Sequence, residues 1–593
     1  MAESLEVQPA TAISLTEDRS ECRLILCTLL AQNSPPVPVA PPILPPGTVN
    51  PQPDPNRDRF IPIPRPTQPP PPSEPDLIPE PPESAPPTTD DSQTPIPVQT
   101  VEVKGSSILT PAEIQTLVEP VEGRSVTLQQ LQDVADKITE FYLERGFITS
   151  RAIIPEQTIT DGTVEIQVIE GSLEEIRVEG TQRLNPNYVR DRVQLGVDKP
   201  LSTARLEDQL RLLRLDPLFD NVEASLRAGT QEGQSILVVW VMEADAFRVG
   251  FSIDNYSPPS IGSERLGINL QHTNLTGNGD IFYIAYNTTR LIGDGESDVV
   301  DFFYSIPINP MNGRIQVRIP PYRNRIIEEA IDPFNVEGSS QRYEISYRQP
   351  LIRSPREEFA LSIGFAYQQS QIFVDEAGTR ISPGSDDDGI TRTSVFQFGQ
   401  DYLRRDRDGA WALRSQISLG TGLFDGTNTA LKPNASFLSW LGQVQRVQRL
   451  GDDNLLILQG DIQLSADPLF PSQQFVLGGG LSLRGYRQNI RAGDNGFRVS
   501  IEDRIILMRD QDEQPKLQLA PFLDLGAVWN QGDNPNQLVG QTFLAGVGLG
   551  VLWEPVENLI IRLDYGYPLV DLDDRGNNIQ DEGLYFSINF FAF

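Results

Sequence analysis

The stretch GGGLSLRGYRQNI, residues 478–490, and the segment FLDLG, residues 522–526, decide how the rest of the chain reads. The first has the glycine punctuation of a loop and sets Arg484 among Leu481, Leu483 and Tyr486. The second is strand-like and holds one anion, Asp524. From Leu517 to Trp529 one parity runs Leu517, Leu519, Pro521, Leu523, Leu525, Ala527, Trp529, while the other includes Gln518, Phe522, Asp524 and Gly526. Asp524 therefore faces away from a continuously apolar side. If that side is lipid, Asp524 faces a lumen, and a loop bearing Arg484 can enter the lumen to meet it.

Working outward, Phe247, Val249, Phe251 and Ile253 alternate with Arg248, Gly250, Ser252 and Asp254. Leu266, Ile268, Leu270 repeat the pattern, as do Phe359 to Tyr367, Leu559 to Tyr565 against Arg562, Asp564 and Gly566, and the terminal Leu584, Phe586, Ile588, Phe590. Tight turns and long polar connections separate these runs in turn. A soluble sandwich would charge its outer face, whereas the polar parity here is small and glycine-rich, as in Gly546, Gly548 and Gly550. About 350 residues at roughly 22 per strand and connection predict a transmembrane antiparallel β-barrel of about 16 strands over residues 245–593. Its partner is then the lipid bilayer. No run approaches the roughly 18 apolar residues a spanning helix needs.

Upstream, a β-α-α-β-β unit occurs twice. In the first copy, residues 99–171, a strand at Val101–Gly105 precedes two capped helices, opened by Thr110-Pro111-Ala112-Glu113 and by Thr127-Leu128-Gln129-Gln130. The second helix places Leu128, Leu131, Ala135, Ile138 and Tyr142 on one face and stops at Gly146, with strands following near 150–158 and 163–169. The second copy, residues 172–244, starts with a strand at Ile176–Gly180, opens a helix at Asn185-Pro186 and puts Leu206, Leu210 and Leu213 on one helical face. Each copy reads as a small α+β domain.

Residues 35–98 form a proline-rich spacer, with 25 of the chain's 50 prolines between residues 35 and 97. Residues 1–34 contain an apolar run at 23–31 behind Arg23, read as an export signal or an N-terminal helix segment. The two cysteines, Cys22 and Cys27, receive no role, and an otherwise cysteine-free chain suits an exported setting. A formal net charge of −33 argues against nucleic acid as a partner. With one histidine and no GxxxxGK[ST], HExxH or GxSxG motif, the sequence points to no catalytic residues, no metal site and no cofactor.

The segment YLERGFITSRAIIPEQTITDGTVEIQVIEG from Tyr142 is similar to a POTRA domain, Leu483-Arg484-Gly485-Tyr486 to a [VL]-R-G-[YF] loop motif, and Phe522 to Gly526 to an F-x-D-x-G strand motif. Together they resemble the two-partner secretion transporters, the haemolysin secretion/activation family of the outer-membrane protein 85 superfamily, over about residues 100–593. That resemblance implies an outer-membrane barrel behind two periplasmic POTRA domains. It also implies export, without ATP, of one large unfolded partner rich in β-helix repeats. A long extracellular loop would fold into the lumen, where Arg484 pairs with Asp524. Gly485 would let the loop turn, Tyr486 and Phe522 would stack beside the pair, and Gly526 completes the strand motif. The pair is expected to lie in a wet lumen that softens its effect on stability. A strand edge at Arg151 to Gln157, with Ile153 and Ile154 as apolar contacts, would accept the client by β-augmentation. The chain is expected to act as a monomer. Many family members carry a helix plugging the barrel, and only the stretch before the proline tract could supply one. A barrel-assembly factor and a passive porin or receptor are the two alternative readings.

Overall fold

The computed structural model describes residues 94–592, apart from 512, 537 and 539. The N-terminal segment 1–34 with its candidate export signal, Cys22, Cys27 and the proline tract up to residue 93 lie outside the described residues.

The first α+β domain contains β1 (Ile96–Val98), β2 (Thr100–Lys104), α1 (Pro111–Val118), β3 (Arg124–Val126), α2 (Leu128–Glu144), β4 (Arg151–Ile153) and β5 (Thr163–Ile169). Both helices begin as their sequences dictate. The Thr110 and Thr127 hydroxyls accept the amides of Glu113 and Gln130, whose side chains reach back to the capping residues. The Thr110 amide and hydroxyl, and then Arg145, hold the Glu113 carboxyl well below the usual carboxylate range, at about 2.

Helix α2 buries Leu131, Val134, Ala135, Ile138 and Tyr142 against the sheet. Leu128, which its spacing puts on that face, is 39% exposed because it occupies the first turn, beyond the sheet's cover. The spacer expected to run to residue 98 ends sooner. Ile96 and Val98 pair with Val126 and Arg124, Val98 enters the core, and Pro97 is tolerated on this edge strand. The strand expected over 150–158 stops at Ile153. Beyond it, the Gln157 side chain takes over the ladder by donating to the Glu165 carbonyl at 2.8 Å and accepting the Glu165 amide at 2.7 Å.

The second domain repeats the plan with β6 (Ser172–Glu179), α3 (Pro186–Gln194), α4 (Thr203–Arg214), β7 (Phe219–Ala228) and β8 (Gln234–Glu243). The two three-stranded sheets have the same order, β2-β5-β4 and β6-β8-β7, with the first pairing parallel and the second antiparallel in each. Duplication in sequence is thus duplication in topology.

Sixteen antiparallel strands among the described residues form a closed barrel. Alternate side chains settle which face is which. Phe251, Ile253, Leu361, Ile363, Leu563 and Tyr565 are exposed on the outside, whereas Asp254, Asp301, Asp461, Asp524 and Asp564 are buried within. Closure comes from Leu584–Ala592 pairing with Phe247–Asp254, from Ser587 opposite Asp254 to Ala592 opposite Val249. Short connections such as 354–356, 406–408 and 450–453 alternate with long ones such as 375–389, 422–436, 466–494 and 569–583.

The second α+β domain sits at the short-turn end, where the Asn185 amide donates to the Gly277 carbonyl at 2.8 Å. At the same junction a Cβ on Gly279 would lie 2.3 Å from the Tyr188 ring, so only glycine lets the turn approach. The long connections, 466–494 among them, lie at the opposite end.

Removing residues 584–593 would leave two unpaired strand edges in lipid, where each unsatisfied backbone group costs several kcal/mol. The truncated chain is expected to yield no heat-modifiable folded barrel on a semi-native gel.

Candidate functional site: a loop lock in the barrel lumen

Residues 466–494 leave the barrel after the strand Asn454–Ser465, fold inward, and return to the strand Asn495–Arg509. Gly478, Gly479 and Gly485 take φ values of 105°, 99° and 104°, conformations that side chains rarely allow, and so permit the tight course of the loop. Arg484 is carried against the wall. Its Nε donates to Asp524 Oδ2 at 2.7 Å and its Nη2 to Oδ1 at 2.9 Å, while its own backbone amide donates to Oδ2 at 3.1 Å. The pairing is a forked guanidinium–carboxylate contact with a third bond from the main chain.

Five further residues join them. Arg484 Nη1 donates to Glu502 at 2.7 Å, and Ser500 Oγ donates to Asp524 Oδ1 at 2.6 Å. Arg562 bridges Glu502 at 2.8 Å and Asp564 at 2.6 Å, and Arg504 donates to Glu502 at 2.8 Å. Arg484, Arg504 and Arg562 thus face Asp524, Glu502 and Asp564, so the cluster is neutral. Arg484 is 5% exposed and Asp524 0%. The expectation of a screened pair in a wet lumen is therefore corrected: loop and wall pack closely enough to exclude bulk water, and the pair behaves as a buried one.

The aromatics divide their work. The Arg484 guanidinium carbon stands 3.4 Å above the centre of the Phe522 ring, a stacked cation–π contact. Tyr486 does not stack on the pair. Its hydroxyl lies 2.8 Å from the Ala545 carbonyl and 3.0 Å from the Val570 carbonyl, which fastens the loop farther along. Tyr585, fully buried, accepts the Gly485 amide at 2.9 Å and donates to the Tyr486 carbonyl at 2.6 Å.

The wall has glycine where the loop runs. A Cβ on Gly546 would meet the Arg484 carbonyl at 2.0 Å, one on Gly566 the Gly485 nitrogen at 2.5 Å, and one on Gly526 the Phe497 carbonyl at 2.6 Å. The glycine-rich parity read earlier as a small polar face is thus, at Gly546 and Gly566, the bed of the loop backbone.

Arg484, Gly485, Phe522, Asp524 and Gly526 are brought together, and Ser500, Glu502, Arg562, Asp564 and Tyr585 complete the site. The strand alternation held a signal for most of these. Ser500, Glu502 and Arg504 share the inward parity against Val499 and Ile501, and Arg562 and Asp564 stand between Ile561, Leu563 and Tyr565. Nothing in spacing ties Tyr585 to the loop.

The candidate client edge lies elsewhere, in the first α+β domain. Arg151 projects outward and meets Glu232 at 2.6 Å, whereas Ile154 packs against the domain core and Gln157 is engaged with Glu165. The Ala152 amide donates to Thr139 Oγ1 at 2.9 Å, away from β5, so helix α2 already occupies the outward donor of this short edge.

On the other side of the lumen loop a cavity of about 580 Å³ opens against the wall. Its lining includes Ser346, Ser362, Gly364, Gln397, Gly399 and Gln416, together with arginines and acids. The charges pair across strands: Arg318 with Asp301 at 2.8 Å, Arg414 with Asp401 at 2.9 Å and Arg348 with Glu358 at 2.7 Å.

Arg484→Ala removes one partner of a buried pair and is expected to cost about 3–5 kcal/mol. Arg484→Lys keeps the charge but not the fork, and should recover only part of that loss. Urea unfolding of the detergent-solubilised protein measures both, and equal stability of all three proteins would contradict a buried lock.

Residues 233–552 match the model of the haemolysin secretion/activation protein family ShlB/FhaC/HecB, and residues 96–171 match the ShlB-type POTRA domain. The outer membrane transporter CdiB of Escherichia coli is 25% identical over 420 residues, covering 67% of each chain. The heme/hemopexin transporter protein HuxB of Haemophilus influenzae is 23% identical over 490 residues, covering 79% of this chain and 82% of that one. The solved structure of CdiB from Escherichia coli aligns with a TM-score of 0.65 at 22% identity, over 86% of this chain and 93% of that chain. CdiB from Acinetobacter baumannii gives 0.59 at 17% identity, over 84% and 90%. With its family model spanning more than half the sequence, a POTRA domain ahead of it and a closed sixteen-stranded barrel, the chain belongs to the haemolysin secretion/activation family of outer-membrane transporters.

Proposed function

We propose that this transporter carries one large partner exoprotein, rich in β-helix repeats, from the periplasm to the cell surface, acting as a monomer without a nucleotide or cofactor. The observation that supports the reading is the division of the lumen. One side of the wall is covered by a loop fastened through the neutral Arg484 cluster, and the other side bounds a polar cavity whose charges are matched within the wall. A wall of hydroxyls, amides, bare glycine backbone and neutralised ion pairs holds an extended polypeptide weakly. Passage needs entry without tight retention, so weak contact is what a conduit requires.

In this reading the loop is the gate. The Arg484 cluster holds it inward, and its release widens the lumen for the client. The POTRA domains meet the client first, through the exposed Arg151 and the half-buried Ile153, while Ile154 and Gln157 shape the edge from within. Residues 35–93 act as a spacer before the first domain, and residues 1–34 as the export segment.

Cells lacking the transporter should retain one large repeat protein in the periplasm, seen by fractionation and immunoblotting. Unchanged secretion of every large exoprotein would sink the reading. In Arg484→Ala the released state of the loop is expected to gain population roughly tenfold for each ~1.4 kcal/mol of lost bias, read as a higher conductance of the reconstituted protein together with altered client secretion. An Arg484→Ala variant that secretes normally while small solutes pass more freely would favour a passive porin.

A further inference from the structure

The connection of residues 569–583, the last before the closing strand, grips the lumen loop at a second level. Arg487 forms a forked pair with Asp581, Nε to Oδ1 at 2.8 Å and Nη2 to Oδ2 at 2.7 Å, and Asp581 is 3% exposed. Arg491, fully buried, makes another fork with Asp574 at 2.8 and 2.7 Å. Between the two, Gln580 accepts the Gln488 amide at 2.8 Å and donates to the Ser257 carbonyl at 2.8 Å. Asn578 Nδ2 also reaches Ser263 Oγ at 3.1 Å. Residues 569–583 therefore fasten the lumen loop to the first long connection, 255–264, across the barrel mouth.

The engaged positions, 487, 488 and 491, follow directly on Arg484. While they are held, the segment carrying Arg484 has no slack with which to leave the wall. We propose that residues 569–583 form an outer clasp, and that its opening at Arg487–Asp581 must precede release of Arg484 from the inner cluster. Arg487 and Asp581 are then positioning residues, and loop release is controlled from the cell-surface side. The inference rests on the reading of the loop as a movable gate and adds the order of events.

The test follows the loop itself. In the full chain, with Cys22 and Cys27 replaced by serine, Leu481→Cys places a thiol on the lumen loop, and its rate of reaction with a membrane-impermeant maleimide is measured in outer-membrane vesicles. Asp581→Arg and Arg487→Asp should each raise that rate about tenfold, the effect of losing ~1.4 kcal/mol of anchoring. The double swap should return it to within about twofold of the parent, because the pair is re-formed with its ends exchanged. Parental labelling in the single variants, or fast labelling in the double swap, overturns the clasp.

If a single variant fails to fold, Gln580→Ala replaces it: faster labelling supports the clasp and a parental rate overturns it. The measurement needs no client. Its failure would leave the transport reading standing, and a failed secretion test would leave the clasp standing.

Discussion

A guanidinium enclosed within a barrel has to be matched in charge and in hydrogen bonds, and Arg484 is matched on every side. Asp524 takes the fork, Glu502 takes Nη1, Phe522 covers one face, and Arg562 and Arg504 offset the remaining carboxylates. Burial makes each of these contacts strong and makes the loss of any one costly. The course of residues 466–494, and with it the division of the lumen, depends on this match.

The scaffold supplies the conditions for that contact. Closing the sheet leaves no free edge in lipid, and strand alternation sends every second side chain inward, where polar groups collect. Glycines at 546 and 566 thin the wall where the loop backbone must pass, and Tyr585 on the closing strand bonds the Gly485 amide and the Tyr486 carbonyl of the loop motif. The strand that seals the barrel is thus also part of the lock. A defect in closure would reach the gate directly.

The two α+β domains are built on one plan but join different neighbours. In the first, the expected open edge is largely taken by its own residues: Thr139 binds the Ala152 amide and Gln157 binds Glu165. Edge strands left open invite unwanted pairing, and short, occupied edges suppress it. In the second, Asn185 and Tyr188 meet the turn around Gly277 and Gly279 at the foot of the barrel. Contact with the barrel is therefore made through a helix start and a glycine turn.

Much of this was legible in the sequence, because period-two alternation, helix caps and the paired motifs are local signals that folding preserves. Strand faces, both capping boxes, the duplicated unit and the meeting of Arg484 with Asp524 all follow from such signals or from the family resemblance they support. Local pattern could not say that the pair is dry, that Tyr486 fastens the loop rather than stacking on the pair, or that Glu502, Arg562 and Tyr585 share the site. Those depend on which strands stand opposite the loop once the barrel has closed, and on how closely backbone meets backbone at Gly546 and Gly566. Register and enclosure are properties of the whole sheet, so only the tertiary structure decides them.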